Sequence, residues 1–370
     1  MPRSLAAPLR TGLLVVLLTL AACVVLLELG LRVAGRLPSN TTDGFFEQHG
    51  SAFRLRKNFT KVWRTPSYVC TIQTNSFGLR DRAPGPPRAL AAPYYAFVGD
   101  SMTFANGVDW EDSFVGVFER LAAPDGVGVV NLAVGGHHLV EQQELLDDFL
   151  AAVARKPSWV VVVLNSQFVS LFDVRYTDVI VKDGFIFRSG EWLLPYLTVT
   201  LGNTSSAYCF FRDAIRKVQA RLMPSTGAAA ARAFLEPFLR RGRLATPETA
   251  ARLDRTLDRL DAVIRGAGSA PVYVYVPTSA EVRAAEFLAL AGLSADDYDF
   301  RLHLDRVRRH CERAGVPLVD LLPAVQALHA EGRPLSFSQD MHFDAPTNRA
   351  IGEALHQALR GGPGLTTPGR

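Results

Sequence analysis

Two short segments at opposite ends of the chain have the residue types for nucleophilic chemistry. In Gly99-Asp100-Ser101 a serine follows an apolar run, and the glycine before it permits a tight turn. A serine at the junction of a strand and a helix presents its hydroxyl at the sheet edge and offers its own N–H as a donor. The triplet alone is weak, because Asp and Ser also serve as turn and cap residues. Far along the chain, Asp340-Met341-His342 precedes the last helical stretch. There Asp340 could hold the imidazole tautomer while His342 takes the proton of Ser101, the arrangement that acyl transfer requires. Asp100 is expected to hydrogen-bond within its turn, and Asn106 and Gly107 to form the turn that follows.

The elements that must position these groups follow an α/β pattern. From about residue 94, short β-rich runs alternate with helical segments, as in a parallel sheet with crossover helices. Strands are expected at residues 95–98, 128–132, 159–164, 272–276 and 318–319. The third reads WVVVVL, a continuous apolar run suited to burial on both faces. Helices are expected after Asp112 as N-cap, with Phe114, Val117, Phe118 and Leu121 on one face, and at residues 140–154, 247–264, 301–314 and 346–359.

These divide the chain into an anchor (1–36), an irregular preamble (37–93), a main domain (94–362) and a tail (363–370). Residues 165–245 interrupt the main domain with a hairpin turning at Lys182-Asp183-Gly184 and then helical segments. An insertion after a parallel strand borders the ligand crevice, so this one is either a substrate-facing lid or a cover for a sheet edge. The helix 247–264 alternates Arg and Asp, which reads as a solvated face with i,i+4 pairs. His303 and His310, seven residues apart, are expected at the surface or half-buried. His137 and His138 are expected at the crevice or on polar surface.

The 370 residues carry 40 basic and 36 acidic side chains, a net charge of +4, with no run of five basic residues. A nucleic-acid footprint is excluded on that basis. At 48% hydrophobic and 21% charged the chain is not of disordered composition. The apolar excess concentrates at one end. Residues 12–27 hold no charge, and apolar character resumes after Glu28 through Leu29, Leu31 and Val33. A helix of about 20 such residues crosses roughly 30 Å of hydrocarbon.

An uncleaved anchor is the main reading, and two others stay open. Leu20-Ala21-Ala22-Cys23 resembles a lipobox, although Val-Val-Leu-Leu follows instead of a polar tether. A cleaved signal would need a shorter apolar core. Arg3 and Arg10 on one flank and Arg32 and Arg36 on the other nearly cancel the positive-inside bias. The body is expected outside the cytoplasm, held to the membrane by its N-terminal helix, with no oligomeric state indicated. Of the four cysteines, Cys23 lies in the anchor, leaving Cys70, Cys209 and Cys311 for at most one intrachain disulfide. No ligand spacing suggests a metal, and no cofactor is expected.

Four strings in order resemble the SGNH (GDSL-type) hydrolase superfamily, and within it the membrane-anchored bacterial members: NSFGLRD (residues 75–81), FVGDSMTFANGV (97–108), VVNLAVGGH (129–137) and DMHFDAPTNRAIGEAL (340–355). The resemblance implies a three-layer α/β/α sandwich around a central parallel sheet. It implies Ser101 as nucleophile, His342 as base, Asp340 as orienting acid, and the N–H groups of Ser101 and Gly136 as oxyanion donors. A third donor would be an Asn side chain after the central strand, usually followed by Asp. Here that position reads Asn165-Ser166-Gln167-Phe168, so Asn165, Gln167 and the absence of a third donor all stay open. The implied activity is an extracytoplasmic ester hydrolase without metal or cofactor, acting on an O-acyl or O-acetyl group of a surface glycan or on a lipid ester. The same triad would serve an O-acyltransferase of polysaccharide modification, and the altered third block admits a weakened polysaccharide- or partner-binding member.

Overall fold

The computed structural model describes residues 6–39, 44–91, 93–222, 225–337 and 340–361; Arg3 and the tail 363–370 lie outside them. Five parallel strands form the central sheet: β1 (Tyr94–Val98), β2 (Gly128–Asn131), β3 (Trp159–Leu164), β4 (Ala270–Tyr275) and β5 (Leu318–Asp320). Their spatial order is β5-β4-β3-β1-β2. The expected α/β sandwich is therefore present, with strand ends shifted by one or two residues.

Every residue of β1 and β3 is buried, because helices cover both faces. Side chains alternate between the two layers with period two. Tyr94, Ala96, Val98, Val160 and Val162 meet the helices Leu139–Ala152, Pro247–Gly266 and Leu302–Ala314. Phe97, Val161, Val163 and Val274 meet the helices Phe114–Ala122, Leu322–Ala330 and Ala345–Gly361. Two of the latter pack so closely that a Cβ on Gly352 would come within 2.7 Å of Val117 Cβ.

The order of connection locates the crevice. From β1 the chain moves outward to β2, then returns past β1 to β3 and continues the other way. Such a reversal leaves an open crevice at the carboxyl ends of the two strands flanking it, here β1 and β3. Ser101 lies three residues after the end of β1.

Several expectations need correction. The preamble is not irregular: Phe46–His49 pairs with Ala52–Leu55 and Thr60–Arg64 with Val69–Gln73 in two antiparallel hairpins. Their strands are only four or five residues long, too short for the alternation of exposed Val69 with buried Cys70 and Ile72 to stand out in sequence. Ser113, not Asp112, caps the helix Phe114–Ala122, accepting from Gly116 N at 3.0 Å. The Arg/Asp helix is not wholly solvated. Asp261 is buried and accepts from Tyr273 Oη (2.8 Å) and bonds His310 Nε2 (3.0 Å). His303 and His310 are accordingly core residues.

The insertion hairpin turns where expected, with Asp183 and Gly184 both at positive φ, as a two-residue hairpin loop requires. The N-terminal helix Ala6–Val33 contains the apolar stretch Gly12–Val33, no residue of which is buried. Near its end, Glu28 accepts hydrogen bonds from Ser206 N (3.0 Å), Ala207 N (2.9 Å) and Ser205 Oγ (3.0 Å). All four cysteines are unpaired.

Candidate active site

Asp100 begins the turn that carries Ser101. In extended conformation it caps the four-residue helix Ser101–Phe104, its carboxylate accepting from Met102 N at 2.9 Å. Gly99 must lack a side chain, because a Cβ there would collide with Thr103. The turn ends at Ala105, which adopts the left-handed region (φ 61°) and sends the next residues back toward Ser101. Burial pushes the Asp100 carboxyl up, and hydrogen bonds from Asn165 and Met102 offset only part of that.

His342 arrives from the loop before the helix Ala345–Gly361. Asn348 in that helix fixes the loop: its amide donates to Phe343 O (2.9 Å) and its oxygen accepts from Phe114 N (3.2 Å). The imidazole Nε2 then lies 2.8 Å from Ser101 Oγ, while Nδ1 hydrogen-bonds Asp340 Oδ1. Donation from Nδ1 to the carboxylate leaves Nε2 free to accept the serine proton. Partial burial raises the Asp340 carboxyl, but the hydrogen bonds and charge of His342, with help from Tyr68, hold it below its ordinary value. Among the sequence-derived site residues, Ser101, Asp340, His342 and Gly136 all border one pocket of about 480 Å³.

Asn165 does not reach that pocket. Its amide donates to Asp100 Oδ2 at 2.8 Å and its oxygen caps the helix Ser166–Ser170 by accepting from Phe168 N at 2.8 Å, so both ends are engaged behind the nucleophile. Gln167 is exposed in the first turn of the same helix, away from the pocket lining. In their place stands Asn106, 7% exposed, whose Nδ2 is 3.4 Å from His342 Nε2 and whose Oδ1 is buried without a partner. The expected turn residue thus puts an amide beside Ser101 and His342, opposite Gly135.

The remaining lining is apolar and comes from elsewhere. Phe46, Phe53, Trp63 and Tyr68 extend from the two N-terminal hairpins, and Phe185, Ile186 and Phe187 from the insertion hairpin. Pro195 and Val199 of the helix Leu193–Thr204 complete it.

No protein-family model and no curated protein sequence matches this chain. Solved structures do. The acetyl xylan esterase AlAXEase is 12% identical with a TM-score of 0.39, over 72% of this chain and 98% of its own. The psychrotrophic esterase EstA from Pseudoalteromonas sp. is 11% identical with a TM-score of 0.39, over 72% of this chain and 96% of its own. A proposed lipolytic protein of the G-D-S-L family from Desulfitobacterium hafniense DCB-2 is 11% identical with a TM-score of 0.37, over 71% of this chain and 98% of its own. The structural neighbours of this chain thus include esterases, a G-D-S-L-family protein and a proposed SGNH hydrolase from Slackia heliotrinireducens.

Three further residues support the site, and of these only His137 had been singled out in the sequence. Arg80, in the NSFGLRD string, is buried and donates to Phe104 O, Ala105 O (2.7 Å) and Val108 O, clamping the loop that carries Asn106. Burial lowers its pKa to about 10, which still leaves it charged. Tyr176 Oη donates to Gly136 O at 2.8 Å, steadying a glycine whose φ of 86° few other residues adopt. His137, expected at the crevice or on polar surface, is instead buried, its Nε2 2.7 Å from Phe53 O, so it joins the sheet side of the pocket to the first hairpin. The signal for Arg80 was an arginine inside an otherwise turn-like motif; Tyr176 had none.

Proposed function

We propose that the chain is a membrane-anchored serine ester hydrolase that cleaves O-acyl esters outside the cytoplasm through an acyl-enzyme on Ser101. The 2.8 Å contact between Ser101 Oγ and His342 Nε2, with Asp340 on the opposite ring nitrogen, carries this reading. Ser101 Oγ attacks the ester carbonyl carbon as its proton passes to His342 Nε2. The same proton then goes to the departing alkoxide, leaving the acyl group on Ser101. Water attacks that ester in turn, giving its proton to Nε2, which returns it to Ser101 Oγ as the carboxylic acid leaves. Negative charge on the carbonyl oxygen is met by the N–H groups of Ser101 and Gly136 and by the Asn106 amide, which takes the place first given to Asn165.

The anchor reading is supported by Glu28. Its contacts with Ser205, Ser206 and Ala207 tie the apolar helix to the body, a role a removed signal would not have. An acylated carbohydrate or a lipid ester would each reach a pocket tethered in this way. The test is hydrolysis of p-nitrophenyl acetate by the full chain in detergent. Turnover that disappears in Ser101→Ala is expected, and turnover unchanged by that substitution would refute the proposal.

A further inference from the structure

We propose that the helical part of the insertion lies in the membrane surface beside the anchor, and that the pocket receives its ester from a membrane amphiphile. This rests on the reading of Ser101 as an esterase nucleophile and names the substrate class of that same site.

Two consecutive helices, Leu193–Thr204 and Ser206–Leu222, carry apolar side chains in solvent. On the first, Leu193, Leu194, Leu197 and Leu201 share one face by their spacing, and Leu194 is 74% exposed. On the second, Phe211, Ile215 and Val218 form a stripe at i, i+4, i+7, with Phe210 beside it. Water is a poor partner for so many exposed apolar side chains on two consecutive helices.

The patch is joined to the membrane span. Glu28 accepts from the chain at Ser205, Ser206 and Ala207, where the two helices meet, and Arg32 donates to Thr204 O at 2.6 Å. Glu28 lies five residues before Val33, the end of the apolar stretch, which is about 8 Å along a helix. The junction therefore lies toward that end of the span, about 8 Å inside its last residue. A carboxylate at that depth is costly unless its hydrogen bonds are met, and the insertion meets them. A hollow of about 730 Å³ beside the junction is bordered by Arg36, Arg64, Arg216 and Lys217 against the single acid Asp213, a balance suited to anionic headgroups.

The first helix also bounds the active-site pocket. Pro195 and Val199 line it from the side opposite the exposed leucines. A helix with one face in the bilayer surface and the other in the pocket places the pocket mouth where an acyl chain could enter without crossing water.

The test uses the full chain reconstituted in nanodiscs, carrying Leu194→Trp, Phe211→Trp or Leu290→Trp singly, each read against the wild type with its four native tryptophans. Leu290 is exposed but belongs to the separate helix Ala284–Ala291. Brominated acyl chains should quench the tryptophans at 194 and 211 and not the one at 290. Quenching at 194 and 211 no greater than at 290 would overturn the proposal, as would burial of these positions through self-association in detergent. In parallel, Leu194→Asp combined with Leu197→Asp should slow hydrolysis of a long-chain ester held in the bilayer by about tenfold or more, given the apolar contact removed, and leave p-nitrophenyl acetate turnover within about twofold. Equal loss on both esters would contradict amphiphile delivery. If wild type cleaves neither ester, the hydrolase reading fails, while the quenching still reports on the membrane surface.

Discussion

The pocket has one wall made from strand ends and one made from hairpins. Ser101, Asn106 and Gly136 follow strands β1 and β2, whose buried, paired backbones leave little freedom to the turns after them. Phe46, Phe53, Phe185 and Phe187 sit on two-stranded hairpins that are marginal alone and depend on docking. Chemistry is thus assigned to the wall that cannot move far, and substrate contact to the wall that can vary in sequence without disturbing the sheet.

The largest effect expected on the inner wall comes from His342→Ala, which should lower kcat by about 10⁴ with p-nitrophenyl acetate, since the base is lost while binding is not. A variant retaining full activity would break the assignment of this wall as catalytic. Next, Asn106→Ala should lower kcat by about 10²–10³, the usual loss of one oxyanion donor, and more than Asn165→Ala does. The reverse order in steady-state kinetics would restore Asn165 to the role expected from its position after β3.

Arg80 holds the inner wall from behind, and Arg80→Met should destabilise the chain by about 2–4 kcal/mol because several buried carbonyls lose their donor. Urea midpoints measure this, and a loss below about 1 kcal/mol would mean that water reaches those carbonyls. The joint between the walls gives the smallest effect. Burial depresses the His137 pKa from 6.5 to about 4. Between these values the unfolded chain binds a proton that the native state refuses, so stability present above pH 6.5 falls as pH drops toward 4. For His137 this amounts to about 2 kcal/mol between pH 7 and pH 5. The buried Glu281, raised to about 7, acts in the opposite sense, so the comparison is made between wild type and His137→Gln, in which the Glu281 contribution cancels. Equal pH dependence of the two proteins would show that His137 is not a closed joint.

The inner wall was largely legible in the amino-acid sequence. WVVVVL reads as a strand buried on both faces, and it runs from Trp159 to Leu164 as expected. Ser101 and the Asp340-His342 pair were weak signals singly, and the four ordered strings of the resemblance joined them into one candidate site, whose Ser101 Oγ and His342 Nε2 lie 2.8 Å apart. Asn106 escaped because its position depends on Ala105 taking a left-handed conformation that no glycine announces. His310 escaped because its partner Asp261 lies 49 residues away on another helix. The outer wall was the less legible one. Its hairpin turn at Asp183-Gly184 was plain, but which way Phe185 and Phe187 face depends on docking against the N-terminal hairpins, which local pattern does not encode.

The central claim is that Ser101 is a nucleophile activated by His342. Treating the full chain in detergent with a fluorophosphonate measures this directly, because only an activated serine reacts rapidly at neutral pH. The account predicts one labelled site, mapped by mass spectrometry to the peptide containing Ser101, absent in Ser101→Ala and strongly slowed in His342→Ala. Folded protein that takes up no label, or labelling that survives Ser101→Ala, would contradict it.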